Sequence, residues 1–168
     1  MASHVQIEEL GRHVGETITL KGWLYNKRES KSLAFLVLRD GSGLVQCVVA
    51  ADGVSDTEWE AALAATQETA LEVTGMVRQD DRQVGGYEVQ VTHFDIIADS
   101  DDYPITPKPH GVEFLMNHRH LWLRSRRQWA IMRVRNRVIM AIHGFFQERG
   151  FVQMDAPILT GNAVEGTS

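Results

Sequence analysis

The sequence predicts a small β-barrel joined by a hinge to the opening of an α/β domain. Three observations carry this. The first hundred residues hold five strand-like segments, one helix-like segment lies between the third and fourth, and a proline-rich break precedes a single long amphipathic helix.

The first strand reads from Thr17-Ile18-Thr19-Leu20 through Gly22-Trp23-Leu24-Tyr25-Asn26, with rough alternation of apolar and polar residues. Leu33–Arg39 is an apolar strand, Asp40-Gly41-Ser42-Gly43 is a turn signal, and Leu44–Val49 returns. Thr57–Thr66 reads as a short helix with Asp56 or Thr57 as N-cap and Glu58 and Glu60 in the first turn. Ala70–Arg78 is the fourth strand, and Gly75 inside it marks a bulge or barrel bend. Gly85-Gly86 turns the chain into the last strand, Tyr87–Ile97. Five strands with a helix between the third and fourth is the order of an OB-fold, a barrel that binds oligonucleotides.

Residues 1–102 form this barrel. A hinge follows at 103–118, where Pro104, Pro107 and Pro109 are three of the chain's four prolines. Closely spaced prolines continue neither a helix nor a central strand. Residues 119–168 read as the incomplete beginning of a second domain. From Arg126 to Arg149, Ile131, Val134, Val138, Ile142 and Phe145 recur at helical spacing and form one face. Gly150 is placed as the C′ residue that ends this helix, and Phe151–Met154 as a short strand leading to Pro157. One helix and one strand enclose no core of their own, so this part needs another copy or further chain.

Composition narrows the function class. Hydrophobic residues are 43% and charged residues 23% of the 168, the balance of a globular protein rather than a disordered one. No apolar run approaches the roughly 18 residues that a membrane helix needs, and the N-terminus shows no secretory signal. The single cysteine, Cys47, allows no internal disulfide and suits a cytoplasmic protein with no membrane partner. In its strand Cys47 is a small buried hydrophobe. The charge is uneven: residues 21–39 hold five basic residues and one acid, whereas residues 52–102 hold 13 acids and two arginines. An acidic protein with one basic face can still bind nucleic acid, although such a run is also compatible with ordinary solvated charge.

The candidate binding residues lie on the first three strands: Arg28, Phe35 and Gln46 supply a cation, an aromatic ring and an amide. Stacking on an aromatic contributes about 1–3 kcal/mol per base, and arginine and glutamine read the edges of unstacked bases. From the residues alone, Phe35 suits the core and the ligand face equally, and Trp23 leans toward the core. The pair His118 and His120 has no cysteine nearby and no second ligand pair at zinc spacing. No metal site and no catalytic residue is therefore assigned in the chain.

These strings resemble a known family. Lys21-Gly22-Trp23 and Phe35–Gly41 are similar to the opening barrel strands of the class II aminoacyl-tRNA synthetases of the aspartate/asparagine/lysine subgroup. Tyr103-Pro104-Ile105, His110–Leu115 and Arg119–Ser125 resemble their hinge and domain entry. The arginine-rich helix with Gly150-Phe151 and Pro157 resembles motif 1, the dimer-interface helix and strand. The hinge string and the ending Val164-Glu165-Gly166-Thr167 favour the asparaginyl-tRNA synthetases, of which the chain resembles the N-terminal part.

The resemblance implies a five-stranded OB-fold anticodon-binding domain followed by the truncated start of a class II catalytic domain. It implies that the intact enzyme attaches asparagine to tRNA(Asn) through an asparaginyl-adenylate, using ATP and Mg²⁺. Phe35 is implied to stack on the central anticodon uridine, with Arg28 and Gln46 at its edge or backbone. Aspartate and asparagine tRNAs share that uridine, so these three do not choose between them. Glu165 is implied to hold the α-ammonium of the amino acid through a charge-assisted hydrogen bond. Ile131, Val134, Val138, Ile142, Phe145 and Pro157 are implied to lie at a homodimer interface. Motifs 2 and 3, whose arginines hold the ATP phosphates, are absent from the 168 residues, so this chain alone is expected to be inactive and to bind neither ATP nor Mg²⁺. Two alternatives remain at this stage: an aspartate–tRNA ligase of relaxed tRNA specificity, and a free-standing OB-fold nucleic-acid-binding module.

Overall fold

A computed structural model describes residues 2–83, 85–106 and 108–159. The chain forms two compact units, Met1–Pro104 and Ile105–Ser168.

In the first unit β1 (Ser3–His4) and a 3₁₀ turn (Ile7–Arg12) precede β2 (Thr17–Glu29), β3 (Leu33–Arg39), β4 (Leu44–Ala50), α1 (Asp56–Ala64), β5 (Ala70–Gln79) and β6 (Tyr87–Ala98). The strands pair in the order β2-β3-β4-β6-β5, and β5 pairs back onto β2, which closes the barrel. Closure leaves no unpaired edge among these five strands. β1 adds to β2 in parallel, an element too short to leave any periodic signal in the sequence.

Alternation fills the interior. Leu36 and Leu38 of β3, Val45, Cys47 and Val49 of β4, Leu71, Val73 and Val77 of β5, and Val89 and Val91 of β6 are buried. Ile7 and Leu10 of the 3₁₀ turn are buried with them. Desolvation pushes the Cys47 thiol up to about 12, so it stays a neutral, unreactive core group. The β3–β4 turn is held by Asp40, whose Oδ1 accepts from the backbone N–H of Ser42 (2.7 Å) and of Gly43 (2.9 Å). Its Oδ2 accepts from the Ile7 N–H at 2.9 Å and so ties the N-terminal segment to the hairpin. The register of β5 on β6 shifts between Thr74 and Gly75, the irregularity that the glycine predicts. A Cβ there would stand 2.2 Å from the Gln90 carbonyl oxygen.

The N-cap of α1 is Ser55 rather than Asp56 or Thr57. Ser55 Oγ accepts from the Glu58 N–H, and the Glu58 carboxylate accepts from the Ser55 N–H at 2.9 Å, a reciprocal capping box. Lys27 Nζ donates to the Leu63 carbonyl oxygen, placing a cation at the helix C-terminal end.

The second unit contains α2 (Val112–Asn117), α3 (Arg119–Trp122) and α4 (Arg126–Gln147). Gly150 has φ +82°, and the Gly150 and Phe151 N–H groups donate to the Gln147 and Phe146 carbonyls. This is a Schellman ending with glycine at C′. The strand expected at Phe151–Met154 does not form. A strand needs a hydrogen-bonded neighbour, and no strand is present among the described residues of this unit.

Candidate nucleic-acid interface

The outer face of β2, β3 and β4 gathers the three residues singled out in the sequence. Along β3, Ala34, Leu36 and Leu38 point into the barrel, which turns Phe35, Val37 and Arg39 outward. Arg28 pairs directly with Phe35 across the β2–β3 ladder, and Gln46 pairs with Val37 across β3–β4. The Arg28 guanidinium carbon stands 5.3 Å from the Phe35 ring centroid. Arg28 Nη2 donates to Gln46 Oε1 at 3.3 Å, and Gln46 is 8% exposed. The cation, the ring and the amide thus form one contiguous surface.

Two residues that sequence reasoning passed over border it. Glu88 of β6 is register partner to both Gln46 and Arg78. Nothing local marks them, because only closure of the barrel brings β6 beside β4.

Trp23 is not core. It is 38% exposed, pairs with Arg39 and lies on the outside of β2. Arg39 forms a two-pronged ion pair with Glu68, Nη1 to Oε1 at 2.9 Å and Nη2 to Oε2 at 2.6 Å. Its guanidinium carbon lies 6.0 Å from the Trp23 ring and 5.9 Å from the Tyr25 ring. Glu68 is buried at φ 69°, a left-handed backbone that costs a non-glycine residue free energy. The Glu68 N–H donates to the Leu24 carbonyl at 2.7 Å, which holds the turn before β5 against β2.

The acidic 52–102 segment concentrates elsewhere. Glu58, Glu72, Thr74, His93, Phe94 and Asp95 line an open hollow of about 380 Å³ on the β5–β6 side. Ser55, the Phe94 N–H and His93 all hydrogen-bond to Glu58 and bring its carboxyl down to about 2. This side carries negative charge at neutral pH and disfavours phosphate.

In the second unit the apolar positions of α4 stand open. Ile131 is 46%, Val134 64%, Val138 53%, Ile142 52% and Phe145 50% exposed. Pro157 is also exposed. The Arg133 guanidinium stacks 4.7 Å from the Trp129 ring and that of Arg149 3.6 Å from Phe145. His118 Nδ1 lies 2.9 Å from the Phe114 carbonyl, and Phe114 stacks between His110 and His118. Glu165 lies outside the described residues. Among the described residues no three His, Cys, Asp or Glu side chains come together in a way that could hold a metal ion. None of their helices is long and apolar enough to cross a membrane.

Comparison with known proteins agrees with this architecture. Residues 18–97 match a family described as the OB-fold nucleic acid binding domain, and residues 111–168 match the class II tRNA synthetases (D, K and N). The asparagine–tRNA ligase of Chloroflexus aurantiacus is 50% identical over 162 residues, 96% of this chain. The chain is homologous to the asparaginyl-tRNA synthetases. It spans 37% of that relative's length. The asparaginyl-tRNA synthetase of Pyrococcus horikoshii, solved with asparaginyl-adenylate, superposes with a TM-score of 0.87 at 34% identity. The match covers 99% of this chain and 39% of that one. The asparaginyl-tRNA synthetase of Entamoeba histolytica, also with asparaginyl-adenylate, gives a TM-score of 0.78 at 25% identity over 96% of this chain and 39% of its own. This synthetase homologue thus joins an OB-fold barrel to the start of a class II catalytic domain.

Proposed function

We propose that the chain is the anticodon-reading part of an asparagine–tRNA ligase together with the beginning of its catalytic domain. The observation that carries this is the contiguous Arg28, Phe35 and Gln46 surface on the face that OB-folds use for oligonucleotides. Phe35 receives a base on its open face. The Gln46 Nε2 donors suit a carbonyl oxygen on the Watson–Crick edge of uracil, while its Oε1 is held by Arg28. Arg28 packs against the ring and adds charge beside the base. These features suit the central uridine of the tRNA(Asn) anticodon.

In this reading the whole ligase joins asparagine to tRNA(Asn) through asparaginyl-adenylate, acts in the cytoplasm, and draws on ATP and Mg²⁺. Glu165 takes the α-ammonium of asparagine. The α4 face and Pro157 take part in a homodimer, since an isologous contact lets one apolar surface cover itself.

The test is selection from a mixture. The 168-residue chain, immobilised and offered total tRNA, should retain tRNAs with a central anticodon uridine, tRNA(Asn) among them. Retention in proportion to abundance alone would reject the assignment.

A further inference from the structure

On the reading just given, we propose that Asn26 is a fourth nucleotide-contacting residue, whose amide N–H group donates to an acceptor oxygen on the nucleotide next to the one stacked on Phe35. The argument starts from the β2–β3 register. It shifts between Leu24 and Asn26, so that Tyr25 is passed over and the ladder resumes with Asn26 opposite Val37, Lys27 opposite Leu36 and Arg28 opposite Phe35. Leu36 is buried and points inward, so Asn26 and Arg28 share the outer face with Val37 and Phe35. Without the bulge, the alternation running from Leu20 and Leu24 would send Asn26 inward with them. The irregularity re-aims an amide onto the binding surface.

The chemistry of that amide is directional. Asn26 Oδ1 accepts from the Lys27 N–H at 2.9 Å, which ties up the oxygen and leaves the Nδ2 donors of an exposed residue for a ligand. An amide with its oxygen held recognises acceptors, and a nucleotide offers these as base carbonyls or phosphate oxygens. Two residues along a strand separate Asn26 from Arg28 by about 7 Å, comparable to the step between successive nucleotides in an extended loop. Across the sheet, Val37 lies between Asn26 and Gln46, giving a flat floor with an amide on each side. Asn26 is neutral and adds hydrogen-bond direction where Arg28 already supplies charge. The base carbonyl is therefore the assigned acceptor.

The experiment titrates the full chain with an RNA hairpin whose loop has a central anticodon uridine. Wild type, Asn26→Ala, Asn26→Asp and Phe35→Ala are compared, with Tm measured for each. Asn26→Asp keeps the Oδ1 contact to Lys27 and replaces the Nδ2 donors by an acceptor. It should hold its Tm and lose affinity by about tenfold or more, while Asn26→Ala should lose about two- to tenfold, the range of one hydrogen bond. Replacing the flanking base that supplies the carbonyl, 5′ or 3′ of the uridine, should abolish the difference between wild type and Asn26→Ala. A methylphosphonate at the same step should leave that difference intact. Unchanged affinity in Asn26→Asp overturns the proposal, as does a loss that follows Tm and is equal for every loop. If only the methylphosphonate abolishes the difference, Asn26 holds phosphate and the base assignment is wrong. Wild type that binds while Phe35→Ala does not upholds the anticodon-reading role whatever Asn26 does. Wild type that fails to bind rejects both.

Discussion

Phe35 illustrates what one residue's direction decides. The string Leu33-Ala34-Phe35-Leu36-Val37-Leu38-Arg39 is apolar on both alternating sets, so periodicity does not say which set faces the core. Pairing decides it. Leu36 and Leu38 meet Cys47 and Val45 inside, and Phe35 is left outside beside Arg28. The outer position predicts that Phe35→Ala weakens RNA binding by about 1–3 kcal/mol, one base stack, with Tm nearly unchanged. An unfolded variant would mean that the ring is a core residue after all. Arg28 and Gln46 were singled out in the sequence by residue type alone. Their contact was not legible there, since it bridges positions 18 apart. Trp23 misled for a related reason. A large aromatic in a strand usually packs inward, and its outward place follows from pairing with Arg39, itself held by Glu68, 29 residues away.

At the scale of elements, the strand order and the helix between the third and fourth strands were readable because alternation and turn residues are local signals. Boundaries were less so. Ser55, Asp56 and Thr57 are all cap formers, and the choice falls to Ser55 because it alone stands three before Glu58 and completes the reciprocal box. The strand expected at 151–154 depended on a partner rather than on local preference. The cap also sets a pH dependence. Hydrogen bonds from Ser55, then Phe94 and His93, hold the Glu58 carboxyl at about 2 against an ordinary 4.5. A carboxyl lowered in the folded state stabilises above its unfolded value, and that contribution disappears as pH falls from about 4.5 toward about 2. Tm should therefore drop more steeply in that window for wild type than for Glu58→Gln. Parallel curves would show that Glu58 does not couple folding to protonation.

For the molecule as a whole, charge and apolar surface lead to separate expectations. The basic 21–39 stretch is partly neutralised within the barrel. Lys21 pairs with Glu72 at 2.8 Å, Lys27 with Glu29 at 3.7 Å, and Arg39 with Glu68. RNA binding should thus depend on stacking and hydrogen bonds more than on counterion release. With one or two phosphates neutralised, log K should fall against log salt with a slope of about −1. A slope several times steeper in a salt titration would place the main contacts on phosphate. The open α4 face predicts self-association, because each large apolar side chain buried contributes about 1.5–3 kcal/mol. Sedimentation should depend on concentration, and a monomer throughout the range would contradict this. The central claim is that the Arg28, Phe35 and Gln46 surface reads the middle base of the anticodon. It is tested most directly by titrating the full chain with a tRNA(Asn) transcript and with the same transcript carrying adenosine at the central anticodon position. The account predicts clearly weaker binding of the adenosine transcript for wild type, and no difference between the two for Gln46→Ala combined with Phe35→Ala. Equal affinity of wild type for both transcripts would contradict it.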